Sequence, residues 1–385
     1  MFFYSSVVRF LKSLLLPAGM LWLVLGGRGL AGATSSARPE SIYDRLWRVP
    51  VLYSDPENAV IQEFRFVGRL NLDAYNLDGD RGTDQDVVVR RLRVGGKLKF
   101  LHDFLLHVEV DLQPQDPRPL YNRLTDAALV WKPCEAFQLA AGKLSVGFGL
   151  DGATSSNELL TLERSNLSNN LYFANQYTSG VNVTGHARGW QWNTGLYSGG
   201  TISPEFGNFD AGNFWVGSVG YDWGKRLGVK KALLRLDYVY NQPNPESDAT
   251  QPFEHIGALV WQLDAEKWGV SAEATGGLGY GTQSDAAGVL VMPWVMLTEK
   301  LQLVGRYTYI ASKEPGGVRF TRYENVLARG RGDDYREIYV GLNYYLYGHK
   351  LKLQTGWQYV DMQDSSNRGG AYSGWSWVSG LRMYF

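Results

Sequence analysis

Four basic side chains share one register: Arg91, Arg93, Lys97 and Lys99 stand at i, i+2, i+6 and i+8. In an extended chain that spacing puts them on one face, in a row about 27 Å long at ~3.4 Å per residue. Such a row concentrates anions and offsets the cost of stripping their hydration shell. The competing reading is an ion-paired wall, because the next segment presents His107, Glu109 and Asp111 with matching parity. Further on, Lys143 opens the Gly-rich stretch GKLSVGFGLDGATSSNELLTLER, which ends on Glu163 and Arg164. Adjacent opposite charges can form a local ion pair that fixes a loop, or they can leave Arg164 free to face a ligand at a constriction. The glycines at 147, 149 and 152 allow a bend from strand to loop, since glycine reaches positive φ without a steric clash. Without a βαβ context, G-x-G is not a nucleotide fingerprint.

Nothing else in the chain has catalytic or ligating spacing. The histidines at 102, 107, 186, 255 and 349 are scattered, and no Ser, His and carboxylate fall on one strand level. Cys134 beside Pro133 reads as a turn residue. The reading is of a protein with no cofactor and no metal, and not an enzyme.

The elements that position these residues are strands. From Ile61 onward apolar and polar residues alternate with period 2. In QEFRFVGRLNLD, Phe64, Phe66, Leu70 and Leu72 oppose Glu63, Arg65, Arg69, Asn71 and Asp73. Comparable segments recur to the end of the chain and number about sixteen, within 14 to 18. The connections alternate too. Those after even segments are tight, near 102, 133–135, 188, 299 and 347–349. Those after odd segments are long, near 74–85, 113–123, 146–176, 199–212, 242–254 and 312–333. That parity is the signature of a transmembrane antiparallel β-barrel, with short turns on one side of the membrane and long loops on the other. A soluble sandwich, both of whose ends meet water, has no reason to keep it.

Aromatic placement agrees. Trp131, Trp190, Trp215, Trp223, Tyr238, Tyr240, Trp261 and Trp357 fall on the apolar face, many near segment ends, as in the girdles at membrane interfaces. One strand-like segment, GVLVMPWVMLT (288–298), is apolar on both faces. It could mark a subunit interface or a strand packed against an inward loop.

At the N-terminus, Arg9 and Lys12 precede an apolar run from Leu14 to Leu25 and the small-x-small site Ala31-Gly32-Ala33, the pattern of a secretory signal peptide over residues 1–33. The run is short of the ~20 residues a spanning helix requires. Residues 34–60 read as a periplasmic lead-in with a helical hint at SIYDRLW, and 61–385 as the barrel. Removing the leader leaves 35 basic against 38 acidic side chains, a balance that does not suit a nucleic-acid binder. The closing segment GWSWVSGLRMYF, ending on Phe385, resembles the C-terminal signal of outer-membrane proteins that the barrel-assembly machinery reads.

These stretches together resemble the phosphate-selective porin O and P family. VVVRRLRVGGKLKF is similar to its basic early strand, AAGKLSVGFGLDGATSSNELLTLER to its central motif, and TSGVNVTGHARGWQWNTGLYSGG to the following strand pair. The resemblance covers roughly 42–200. It implies a sixteen-stranded outer-membrane porin of a Gram-negative-type bacterium, assembled as a homotrimer in lipid, with its third loop (146–176) folded inward. It also implies that Arg91, Arg93, Lys97 and Lys143, with Glu163 and Arg164, meet small hydrophilic solutes or anions such as phosphate.

Parity adds Arg306 and Arg382 to the pore-lining candidates. Eleven bases are read as inward (Arg65, Arg69, Arg91, Arg93, Lys97, Lys99, Arg235, Arg306, Lys350, Lys352, Arg382) against eight acids (Glu63, Asp73, Glu109, Asp111, Asp126, Asp237, Glu273, Glu337). An excess of three favours anions only mildly. A channel for a sugar or carboxylate, and an outer-membrane hydrolase or closed structural barrel, remain the alternatives.

Overall fold

A computed structural model describes residues 40–172, 176–200, 205–320 and 322–385. The signal peptide expected over 1–33 lies outside them. The chain divides into two compact units, 1–45 and 46–385. In the described part of the first, the Asp44 N–H donates to Ser41 Oγ at 3.2 Å and the Ser41 N–H to Asp44 Oδ2 at 3.0 Å. This reciprocal cap starts helix α1 (Ile42–Arg48).

The second unit is a closed barrel of sixteen antiparallel strands. In chain order they are β1 (Ile61–Gly79), β2 (Gly82–Phe100), β3 (Phe104–Leu112), β4 (Tyr121–Cys134), β5 (Phe137–Ser145), β6 (Tyr177–Ala187), β7 (Trp190–Gly200) and β8 (Asn208–Asp222). There follow β9 (Lys231–Asn241), β10 (Phe253–Asp264), β11 (Trp268–Gly279), β12 (Ala286–Met296), β13 (Leu301–Ser312), β14 (Asp334–Tyr347), β15 (Leu351–Gln363) and β16 (Tyr372–Tyr384). Each pairs with its neighbours, and β16 returns to β1 from Gly374↔Gly79 to Tyr384↔Arg69. Closure leaves no open edge, which is what allows a sheet to sit in lipid. At the seam Gly68 and Phe385 exchange backbone hydrogen bonds of 3.2 and 3.0 Å. A Cβ on Gly68 would meet the Phe385 ring at 2.5 Å, so this position accepts only glycine without a shift.

β1 is longer than β16. A short lead-in strand, Val51–Ser54, pairs with Glu63–Arg65 of β1, and the Phe66 N–H donates to Pro50 O at 2.8 Å. Trp47 stacks near Tyr347 (5.1 Å between centroids) and donates through Nε1 to Tyr384 O at 2.6 Å. These contacts cover the stretch of β1 that β16 does not reach.

Turn parity holds around most of the ring; the connection 223–230 on the short side is longer than 280–285 on the long side, and one expected loop needs correction. The long connection expected near 74–85 is a two-residue turn at 80–81, because β1 and β2 run on in register as far as Gly79↔Gly82. Polar pairs carry this extension: Tyr75 Oη donates to Asp84 Oδ2 at 3.0 Å, and Asn76 Nδ2 to Gln85 Oε1 at 3.3 Å. An apolar alternation does not mark a hairpin held by polar pairs, so its length was hidden.

The outer face is apolar and aromatic. At the short-turn rim, Phe100, Phe104, Trp131 and Phe137 form a continuous chain with centroid spacings of 5.5, 6.4 and 5.7 Å. Trp190, Tyr221 and Trp223 continue it at 5.0 and 4.9 Å. The inner face is polar except on one arc. There Val216, Val239, Ile256, Val260, Leu290, Met292, Val304 and Ile310 are buried against Val146, Phe148, Leu150, Leu167, Leu171 and Tyr172 of the third loop. The apolar inner face of β12 therefore packs against an inward loop.

Candidate functional site

The third loop (146–176) enters the lumen from β5 and is held along its length by wall side chains. Gly149 takes φ +64, a backbone state glycine reaches without penalty, at the start of the short helix α2 (Gly149–Ala153). The Gly149 N–H donates to Asp237 Oδ2 on β9 at 2.8 Å, and the Leu150 N–H to Glu273 Oε2 on β11 at 2.5 Å. Arg235 donates to Gly149 O at 2.7 Å while pairing with Asp237 at the same distance.

Further along, the loop backbone lies against β13 to β16. Lys352 Nζ donates to Leu159 O at 2.6 Å, Asn343 Nδ2 to Leu160 O at 2.8 Å, and Arg382 Nη2 to Leu162 O at 3.1 Å. Arg306 Nη1 donates to Thr161 Oγ1 at 2.9 Å and Glu163 O at 2.8 Å. Carbonyls in a buried loop have no water, and the wall supplies their donors. The next helix, α3 (Asn166–Leu171), starts on Ser165, whose Oγ accepts from the Ser168 N–H. Its Leu167 is fully buried.

This arrangement divides the inner wall. Where the loop lies on it, charges are buried and three are matched in pairs, Arg306 with Glu337 at 2.6 Å, Arg235 with Asp237, and Arg382 with Asp73, while Lys352 and Glu273 meet loop backbone groups instead. The side chains of Arg306 and Arg382 are only 3% and 4% exposed, so although both face inward they are covered by the loop. On β1 to β4 the wall is more open, with Arg65, Arg123 and Lys99 at 30%, 35% and 55%.

The early basic row divides in two. Arg93 is part of an ion-paired wall, 3.6 Å from Glu109 and 3.5 Å from Asp111, and it donates to Tyr177 Oη at 2.6 Å while lying over that ring. Lys97 stands in register between Arg65 and His107. Lys99 lies 3.9 Å from Glu63. Lys143, buried on β5, donates to Glu205 O. Lys350 stands exposed in the turn before β15, outside the wall.

Glu163 and Arg164 do not pair with each other. Arg164 fastens the loop to itself, donating to Asp151 O and Thr154 O at 2.9 Å each, while Asp151 Oδ2 accepts from the Ser165 N–H at 2.6 Å. Glu163 turns the other way, into a cluster of arginines. Arg90 Nε donates to Oε1 with its Nη2 3.4 Å from Oε2, Arg322 Nε lies 3.1 Å from Oε2, and Arg91 Nη2 is 3.9 Å away. Burial alone would push the Glu163 carboxyl up, but Arg322, Arg90 and Arg91 hold it well below the usual carboxylate range.

Two members of this cluster escape a reading by alternation. In the β1–β2 ladder Asn71 opposes Arg91 and Leu72 opposes Val89, so Arg90 is the extra residue of a bulge. The available signal was the Arg90-Arg91 pair itself, since strict alternation would turn one of the two towards lipid. Arg322 comes from the loop between β13 and β14, where no periodicity exists to flag it. There Tyr323 stacks on Tyr75 at 4.3 Å and donates to Asp73 Oδ2 at 2.6 Å. Glu324 accepts from Gln358 Nε2 at 2.9 Å, and burial pushes its carboxyl up. Below the third loop, at the short-turn end, a cavity of about 660 Å³ is lined by Asp151, Glu158, Lys230, Lys231 and Lys300 among others.

An inward third loop, a basic early strand and sixteen strands are now in view together. Residues 64–211 match the family of phosphate-selective porins O and P. The match to these porins covers β1 to β7 and the whole third loop, including Arg90, Arg91, Glu163 and Arg164. No curated protein matches the chain. Solved structures share the fold. OmpT, an outer membrane protein of Vibrio cholerae, is 13% identical with a TM-score of 0.58, over 87% of this chain and 99% of that one. The anion-selective porin from Comamonas acidovorans is 11% identical at 0.60, over 84% and 99%. The outer membrane channel DcaP of Acinetobacter baumannii is 12% identical at 0.55, over 86% and 100%. As a whole the chain has the closed sixteen-stranded barrel fold of these outer-membrane proteins.

Proposed function

We propose that this barrel is a passive diffusion channel for small hydrophilic solutes, with a mild preference for anions, and that it is not an enzyme. The observation that carries the reading is the division of the lumen. The third loop lies on one arc of the wall and buries its charges, which are matched by other wall residues or by the loop's own backbone groups. The opposite arc, on β1 to β4, keeps Arg65, Lys97, Lys99 and Arg123 at a more open surface. Fixed positive charge in a water-filled constriction raises the local concentration of anions and lowers their barrier. The pairing of Arg93 with Glu109 and Asp111 keeps that bias modest, which favours general anion passage over tight selection of phosphate. Assembly as a homotrimer, the arrangement implied by the porin resemblance, belongs to the same reading.

Purified protein in a planar bilayer tests this. Discrete conductance steps are expected, with a reversal potential in a salt gradient whose sign shows anion preference. No steps from well-folded protein would reject the channel. Cation preference would reject the role given to the open basic arc.

A further inference from the structure

The Glu163 carboxylate is held as a bound anion would be, but by the chain itself. Three guanidinium groups from two elements converge on it: Arg90 and Arg91 from the bulge of β2, and Arg322 from the loop between β13 and β14. Arg90 engages both oxygens in the forked geometry that matches planar and phosphate-like anions. Three cations against one carboxylate leave a surplus of two charges. The side chains of Arg90 and Arg322 remain 23% and 31% exposed, so the group is reachable from the lumen. Glu163 itself is fixed from behind, where its carbonyl accepts from Arg306 and Thr161.

We propose that Glu163 is a tethered counter-anion that occupies an oxyanion site formed by Arg90, Arg91 and Arg322. The site attracts passing anions through its surplus charge, and the carboxylate denies them the close contacts that would trap them. The inference rests on the channel reading and deepens it: the native eyelet passes oxyanions without binding them tightly.

The test compares block of chloride current by inorganic phosphate in wild type, Glu163→Gln, and Glu163→Gln with Arg322→Gln. Removing the occupant's charge, so that it no longer competes for the guanidinium groups, is expected to lower the phosphate concentration for half-block by about tenfold, the effect of one charge-assisted contact made available. Removing Arg322 in addition should abolish most of that gain. If Glu163→Gln fails to assemble, Glu163→Asp, which withdraws the carboxylate by one methylene, should show the same shift more weakly. Conductance steps with unchanged phosphate block in the assembled variant overturn the occupied site, as does a gained block that ignores Arg322. Absence of steps in all proteins, wild type included, rejects the channel reading instead.

Discussion

At the scale of single residues, the same side-chain type does two jobs according to what covers it. Arg306 and Arg382 hold a loop in place, whereas Arg90 and Arg322 face the lumen. Arg306→Ala would leave Glu337 buried without its cation and strip donors from Thr161 and the Glu163 carbonyl. Breaking a buried pair by removing one partner costs about 3–5 kcal/mol. The variant is expected to unfold at lower urea concentration and to lose its compact gel mobility at lower temperature. Unchanged unfolding would mean that the pair contributes nothing to holding the loop. The sequence showed which charges on regular strands face inward, because parity records that directly, but it misplaced Lys350, which sits in a turn, and passed over Arg90 at a bulge. It did not show which are covered, because coverage depends on where a loop 145 positions earlier in the chain comes to rest, as Thr161 does against Arg306.

At the scale of elements, the third loop is held by apolar contacts to β8–β13, by polar clamps to β9 and β11 at its start, and by further polar clamps to β13–β16. Leu167, buried between α3 and the arc around Gly288, anchors the first of these. Leu167→Ala should weaken that attachment by about 2–5 kcal/mol, leaving the barrel intact. The measurable result is a larger mean single-channel conductance with added open-state noise. A quiet trace of native size would show that the polar clamps suffice. The loop's position in the chain was legible from its length and from strand counting. Its path was legible only in part: an inner face of β12 that is apolar where the other strands are polar pointed to a packing partner without naming it. The extended β1–β2 hairpin was missed because its rungs are polar pairs such as Tyr75–Asp84.

At the scale of the whole molecule, alternation, turn parity and aromatic placement describe one object, a cylinder with a greasy outside. The outward Trp131, Trp190, Trp215, Trp261, Trp357 and Trp375 are 38–61% exposed. Most of the intrinsic tryptophan fluorescence should therefore be quenched by brominated acyl chains after reconstitution. Quenching confined to a small fraction would contradict the assignment of this face to lipid. These global features were readable because a membrane imposes them on every strand at once, so an error at one boundary does not propagate.

The seam adds a consequence for engineering. Trp47 touches Tyr384, the lead-in strand lies beside the lower end of β1, and both ends of the ring thus meet at the short-turn rim. A ring whose ends already meet has no privileged starting strand. A short linker from Phe385 to the lead-in, with new termini cut at the 80–81 hairpin, would give a circularly permuted barrel with the same wall. The first strand to be synthesised would then be β2, the one that carries the bulge and its arginines.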